Sequence, residues 1–573
     1  MKLKNIITGV LLMALAISLN TSVLAAASNP DPVSVNSKGI SPISGTFIQP
    51  WLYNGFSEER WDKELTDWKR LGIEYVIMGD VANVYYKDEH ISSTTERYSI
   101  EASYPTRIDG AKNTGDYLTK LMQKCKQYDI KLYIGIGNTV GGWDFLDFTK
   151  EKNRNDFIEI CTRFSWIVND LYDIYYSDYK DIFAGFYFVP ELYNSSAFDN
   201  ENTRNVYVNA MSAGFNIVLD TISELPQEFP LIFSPYVNIF GGSWVSKNYA
   251  NIEKFWTEFI SSANFRAGDI LCPQDSVGAG GMDLAHLDDM TKAYKNAVIN
   301  SNKNVLLWSN CEIFVQPKDK FYGLNDGHSY WETCTTARMV EQFKIVSKYV
   351  DRIFTFAHPH YLSSLNAVEG YYNSYMHYLE TGEVESNAPK APDKFRTYII
   401  NLDGKPTLHI AWSGMYDDFG ISRVNIYKNN ELYWYRVSTR NESGATEQTY
   451  PNYFYDPEYD FESTENIVYQ FEVIDCAGNV SEKVSFTVEP NSVPNNVKLD
   501  APYKGPIKEI DENSDATSKE QSNDTDNSAP ESDFIPQDNN EPDKSFPWLW
   551  LGIGAGIVAI AGLVVAFIKK KKK

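Results

Sequence analysis

The sequence predicts a parallel (β/α)8 barrel followed by an all-β sandwich, a disordered acidic stalk and a C-terminal transmembrane helix. Three observations predict it. Short β-rich runs alternate with helical stretches eight times between Gly45 and Leu379. From about Ala391 to Pro490 the pattern becomes all-β, and Phe546 to Ile568 carries no charge. The chain has 573 residues, 43% hydrophobic, 14% aromatic and 22% charged. That exceeds one compact domain and excludes a wholly disordered, collagen-like or small disulfide-stapled protein.

The N-terminus comes first. Lys2 and Lys4, an apolar run from Ile6 to Leu19, and Ala25 to Ala27 form a secretory signal over 1–27. The eight β-rich runs of the barrel region, 41–385, are Gly45–Trp51, Tyr75–Ala82, Leu132–Asn138, Gly185–Glu191, Pro230–Val237, Asp269–Gln274, Val305–Glu312 and Arg352–His358. After the first, Ser57 is placed to cap a helix whose Trp61, Leu65 and Trp68 share one face. Asp156–Tyr176 follows the third run as helix, and Met339, Phe343 and Val346 mark one after the seventh. Eight such units indicate a closed barrel, and neither a G-x-G-x-x-G nor a P-loop follows any strand.

A barrel does its work at the C-terminal ends of its strands. There the sequence places Gln49, Trp51, Asp80, Asn138, Trp143 and Asp144, then Tyr193, Asn194, Tyr236 and Asn238. Gln274, Asp275, Trp308, Asn310, His358, His360 and Tyr361 complete the set. Amides and acids bond sugar hydroxyls and flat rings cover pyranose faces, so the mixture suits a carbohydrate. Trp143, Trp308, Tyr193 and Tyr236 are the stacking candidates.

Glycoside cleavage usually takes two carboxyl groups, a proton donor and a nucleophile or base. Glu191 ends the apolar run Phe186-Tyr187-Phe188-Val189-Pro190, which would raise its pKa as a general acid requires. Glu312 ends the seventh run and shares its barrel-facing side with Asn310. Runs four and seven stand across the ring from each other, so a carboxyl separation of roughly 5–5.5 Å, that of a retaining enzyme, is expected. Asp275 is an alternative acid or base, or else bonds substrate or a loop. Asp80 and Asp144 carry the same ambiguity. His358 and His360, two apart, lack an obvious third ligand for a metal, and no cofactor is expected. Cys272 and Cys311 lie near neighbouring strand tips, either bridged or as buried thiols.

Several stretches resemble a bacterial secreted TIM-barrel family without an assigned function that is grouped with glycoside hydrolases. They are Ile43-Ser44-Gly45-Thr46-Phe47-Ile48-Gln49-Pro50-Trp51, Trp61-x-x-Glu64-Leu65, Phe188-Val189-Pro190-Glu191 and Pro273-Gln274-Asp275-x-x-Gly278. The resemblance spans most of 41–380 and implies barrel and sugar chemistry, not a substrate. The glutamates also resemble the large retaining clan, with acid/base on strand four and nucleophile on strand seven. That clan has Asn before its acid where this chain has Pro190.

In 391–490, Tyr469-x-Phe471-x-Val473-x-Asp475-x-x-Gly478-Asn479 resembles the penultimate strand and turn of a fibronectin type III-like domain, read here as a spacer or a carbohydrate binder. The linker 491–545 follows; its Gly505–Ser545 portion holds 12 acidic and three basic residues, a solvated stalk. Residues 546–568 form the membrane helix and five lysines, 569–573, the cytoplasmic tail. The reading is a single-pass type I protein on the outer face of a Gram-positive cell membrane. A net charge of −24 argues against nucleic acid as a partner. The expected function is a surface-anchored retaining glycoside hydrolase acting on an oligo- or polysaccharide. The alternative is a non-catalytic carbohydrate receptor or adhesin.

Overall fold

The computed structural model describes residues 37–53, 55–86, 98–140, 146–317, 331–402, 404–440, 448–490 and 492. Eight parallel strands close into a barrel: β1 (Gly45–Ile48), β2 (Tyr75–Asp80), β3 (Lys131–Gly135), β4 (Phe183–Phe188), β5 (Leu231–Phe233), β6 (Ile270–Leu271), β7 (Leu306–Glu312) and β8 (Arg352–Phe356). Each is followed by its helix. These are α1 (Glu58–Leu71), α2 (Leu118–Tyr128), α3 (Glu151–Tyr179), α4 (Glu201–Glu224), α5 (Tyr249–Ser262), α6 (Leu284–Asn300), α7 (Thr336–Val346) and α8 (Glu369–Thr381).

Local chemistry sets the helix ends. Ser57 accepts from Arg60 N at the start of α1, and Gly72, at φ 85°, closes it in the left-handed conformation that glycine adopts freely. Trp61, Leu65 and Trp68 are buried against the barrel. Inside, a lumen of inward residues forms its own apolar layer: Phe47, Ile77, Tyr133, Tyr187, Ile232, Ile270, Trp308 and Phe354. Trp308 stacks on Phe354 with ring centres 4.8 Å apart, and Phe47 meets Tyr187 edge-on at 5.4 Å. The lumen is a packed core, as barrels of this size require.

Most of the strands stop short of the predicted runs, the sixth spanning only Ile270–Leu271, and two of these differences bear on the site. The second run ends at Asp80, and Ala82–Tyr86 starts a separate four-stranded sheet with Tyr98–Ala102, Lys112–Asn113 and Asn138–Val140. The fourth run ends at Phe188, so Glu191 lies three residues beyond the ladder in the following loop.

Two main sheets build the described β-rich C-terminal region, beside a two-stranded ribbon of Thr439–Arg440 and Gln448–Thr449. β9 (Lys394–Leu402), β10 (Lys405–Ser413) and β13 (Tyr453–Asp456) form one. β11 (Ile421–Lys428), β12 (Glu431–Val437), β14 (Ile467–Asp475) and β15 (Val484–Val488) form the other. Their inner faces share a core of Ile399, Ile410, Trp412, Ile426, Phe454 and Phe471, among others. Tyr469, Phe471 and Val473 alternate inward as their spacing predicts. Among the described residues no helix is long and apolar enough to cross a membrane. The predicted signal, the membrane helix and the lysine tail lie outside the described residues, as does nearly all of the predicted stalk.

Candidate active site

Glu312 is the last residue of β7. Trp308 faces the lumen, so period-two alternation turns Asn310 and Glu312 inward while Leu307 and Cys311 pack outward against the helices. Glu312 is 3% exposed, and its Oε2 accepts the backbone N–H of Ala279 at 2.7 Å. That approach depends on Gly278, where a Cβ would lie 2.6 Å from the Phe314 carbonyl oxygen and 2.8 Å from Glu312 Cβ. Burial drives the Glu312 carboxyl well above its ordinary range, and the neighbouring Asp275 charge adds to it. The Ala279 N–H and the Arg338 cation oppose the rise, and Glu191 contributes a smaller upward push.

Glu191 lies in the loop that follows β4, past the lumen residues Tyr187 and Val189. Its charge acts on Tyr187, Tyr236 and Glu312, which sets the carboxyl above the lumen at the mouth. Burial lifts it to about 7, and the amide side chain of Gln274 pulls the other way. Tyr236 feels the charge of both acids. Its phenol is raised by burial, then by Glu312 and by Glu191, and its oxygen accepts from Asn238 Nδ2 at 3.2 Å.

Other predicted residues gather around this pair. Gln274 and Asn310 sit side by side on adjoining strand ends, reaching Ser234 O at 3.4 Å and Ser234 Oγ at 3.3 Å respectively. Asn310 Oδ1 is buried with no hydrogen-bond partner among the described residues. Asp80, at the end of β2, is lifted by burial to about 6 and is hydrogen-bonded by Asn83 and Asn138. Gln49 follows β1 and is partly exposed. Tyr193 pairs with Tyr236 in an isolated bridge and meets Trp244 edge-on at 5.7 Å.

Asp275 faces outward, away from the mouth. Its Oδ1 accepts from Glu312 N at 3.1 Å and Val277 N at 3.2 Å, and its Oδ2 from Gln342 Nε2 of α7. Asp275 therefore braces Glu312 from behind and does not reach substrate.

Three expectations are corrected. Trp308 is 3% exposed in the lumen floor, stacked between barrel rings, and presents no face to a ligand. Asn194 has every amide atom used: Nδ2 donates to Asn238 O and Ser246 O, and Oδ1 accepts Asn238 N, which ties two loops together. His358 is fully buried behind the barrel wall, its Nδ1 3.0 Å from Trp68 Nε1 and 3.3 Å from Glu64 Oε1. His360 is partly exposed on the short helix His358–Tyr361, with its ring 5.8 Å from that of Tyr361. The side chain of Trp51 and all of Trp143 and Asp144 lie outside the described residues.

All six cysteines are buried free thiols, Cys272 and Cys311 included. Among the described residues three carboxylates, Glu385, Asp417 and Asp475, come within 4.8 Å of one another, in the sandwich and the segment that leads into it. Backbone amides or the Asn479 side chain bond each of them. Sequence reasoning missed Ala279, Arg338, Gln342 and Trp244. Only Gly278 was marked, as part of a motif.

The class is that of closed parallel barrels with paired carboxyls at the mouth. Residues 43–369 match the family described as a domain of unknown function, DUF4434, and the chain belongs to it. No curated protein matches the sequence. Among solved structures, a protein proposed to be an alpha-L-fucosidase from Bacteroides thetaiotaomicron is similar. It is 18% identical with TM-score 0.41, over 62% of this chain and 98% of that one. An endo-beta-1,4-mannanase from Thermotoga petrophila is 11% identical, with TM-score 0.35, over 78% and 98%. A xylanase from Thermoanaerobacterium saccharolyticum is 11% identical, with TM-score 0.30, over 58% and 89%.

Proposed function

We propose that the protein is a retaining glycoside hydrolase acting on an oligo- or polysaccharide. Glu191 serves as general acid/base and Glu312 as nucleophile. What supports this is that two buried carboxyls, Glu312 at the end of β7 and Glu191 in the loop after β4, both act on one phenol, Tyr236. Glu191 holds its proton near neutrality and can pass it to the leaving oxygen. Glu312 is aimed by the Ala279 N–H, a donor that favours its ionised form. Attack by Glu312 on the anomeric carbon gives a glycosyl ester, which water then cleaves with Glu191 as base.

Tyr193, Tyr236, Gln274, Asn310, Asp80 and Gln49 supply ring faces and hydrogen bonds around the sugar. In this reading the signal at 1–27 exports the chain and the apolar segment 546–568 anchors it to the outer face of a cell membrane, with the fibronectin type III-like sandwich as spacer.

The test is hydrolysis of a glycan panel by the soluble ectodomain, with Glu191→Gln and Glu312→Gln each abolishing turnover in a folded protein. Azide added to Glu312→Ala should restore part of the activity and yield a glycosyl azide. Unchanged turnover by either Gln variant removes that residue from the mechanism. A second reading, a glycan receptor that does not cleave, is favoured by one observation: burial, and then the Asp275 charge, push Glu312 toward its neutral form. Equal glycan affinity in wild type and Glu312→Gln, with no product from either, would establish it.

A further inference from the structure

The first turn of α7 is capped by another part of the chain. Every helix begins with amides that its own carbonyls cannot satisfy. Thr335, at the N-cap of α7, makes no side-chain capping bond. Instead Thr336 N donates to Cys476 O at 3.0 Å and Ala337 N to Ala477 O at 2.9 Å. Both acceptors belong to the turn after β14 of the sandwich. That turn is rigid in its own right: Asp475 Oδ1 takes the N–H groups of Gly478 and Asn479 at 2.6 and 2.8 Å. Asn479 Nδ2 bonds Glu385 Oε2 and Asp475 Oδ2 at 2.8 and 2.9 Å.

The contact is close-packed. Cys476 is fully buried and joins the core of the barrel and its helices. Gly370 of α8 has room for no side chain, since a Cβ there would sit 1.9 Å from the Phe419 carbonyl oxygen and 2.7 Å from Cys476 Sγ. Tyr371 OH meets Ser422 Oγ at 2.7 Å across the same seam.

At its other end the chain of contacts reaches the site. Arg338 Nη2 donates to Glu312 O at 3.0 Å and Phe314 O at 2.7 Å. Gln342 Nε2 donates to Glu312 O at 3.3 Å and to Asp275, which in turn accepts Glu312 N. Both backbone polar groups of Glu312 are thus held from α7, one directly and one through Asp275.

We infer that the β-sandwich is a working part of the active site: its Cys476–Ala477 turn caps and fixes α7, and Arg338, Gln342 and Asp275 act from there as positioning residues for Glu312. The role in catalysis rests on the proposed function, but the mechanical coupling does not. A displacement of about 1 Å at a reacting group can cost about 100-fold in rate, so a loosened seam should register in turnover.

Two full-chain variants test it. Gly370→Ala wedges the seam open, and Asn479→Ala only relaxes the capping turn. Hydrogen exchange is the first readout. In the variant that folds, amides of 335–346 and 306–315 should exchange at least about tenfold faster, with α3 unchanged. Acceleration confined to 394–490 overturns the coupling, whatever the protein catalyses. The second readout uses whichever glycoside of the panel the wild type hydrolyses: kcat should fall about tenfold or more with KM nearly constant. An unchanged kcat, alongside faster exchange in 306–315 and a dead Glu312→Gln, overturns the positioning role while leaving the hydrolase reading in place. If the wild type hydrolyses no glycoside, the exchange readout alone decides the coupling.

Discussion

Ala279 donates its backbone N–H to Glu312 Oε2 across 2.7 Å. A loop amide, which cannot titrate, therefore orients the carboxylate at the centre of the site. The contact exists because Gly278 lets the loop lie against β7.

Gly278→Ala should thus act on chemistry before stability. The added methyl must push the loop off Phe314 O and Glu312, and Ala279 N–H moves with it. We expect turnover to fall at least about tenfold with the melting temperature changed by only a few degrees. Steady-state kinetics beside a thermal melt will decide this, and undiminished kcat would refute it.

Glu191 should set the alkaline limb of activity. Its ordinary pKa of 4.5 is raised to about 7 by burial, and a general acid works only while protonated. Turnover of unactivated glycosides should fall about tenfold per pH unit above about 7. On an aryl glycoside whose leaving group needs no proton, the single burst of leaving-group release by Glu191→Gln should lack the limb. The same shift has a stability sign. Between 4.5 and about 7 the folded state holds a proton that the unfolded chain has released. Stability from this group is full below 4.5 and is lost as pH rises through about 7. Melts across pH 4–8 on wild type and Glu191→Gln will show whether the difference tracks that window.

Asp275→Asn should move the acid limb. Facing Glu312 are Asp275, which raises its pKa, Glu191, which raises it less, and Arg338, which lowers it; the Tyr236 phenol also lies in reach. Neutralising Asp275 removes the largest charge contribution, so the limb that reports the ionised nucleophile should shift to lower pH. A profile that keeps its acid limb would show that the charge of Asp275 is not felt at Glu312.

Trp308→Ala should weaken folding and leave sugar binding alone. The ring fills the lumen floor, and truncating a buried Trp costs about 3–5 kcal/mol. Chemical denaturation should register that loss, while KM in the folded fraction stays within about twofold. A large rise in KM would restore Trp308 to the binding surface.

Much of this fold could be read from the chain because barrel strands are buried on both faces and announce themselves as short apolar runs. Ser57, Trp61, Leu65 and Trp68 show the helical counterpart, where cap and stripe are local signals. The place of Glu312 at the end of β7 was also legible, since strand ends and parity are countable, whereas the strand expected to carry Glu191 stops at Phe188. Trp308, Asn194 and His358 were misread for one reason. Depth along a strand and the partners of a loop amide depend on contacts distant in sequence, such as Asn194 with Asn238 and His358 with Trp68. Gln342 and Arg338 gave no signal at all, because in sequence they are ordinary polar positions on an amphipathic helix.

The plug of Trp308, Phe354, Tyr133 and Tyr187 beneath the acids has a traffic consequence. The cylinder is stoppered at its base, so on the proposed hydrolase reading incoming sugar, the water that resolves the ester and both departing fragments would share a single doorway. Under that reading, whatever lingers in the doorway after cleavage would delay the next turnover.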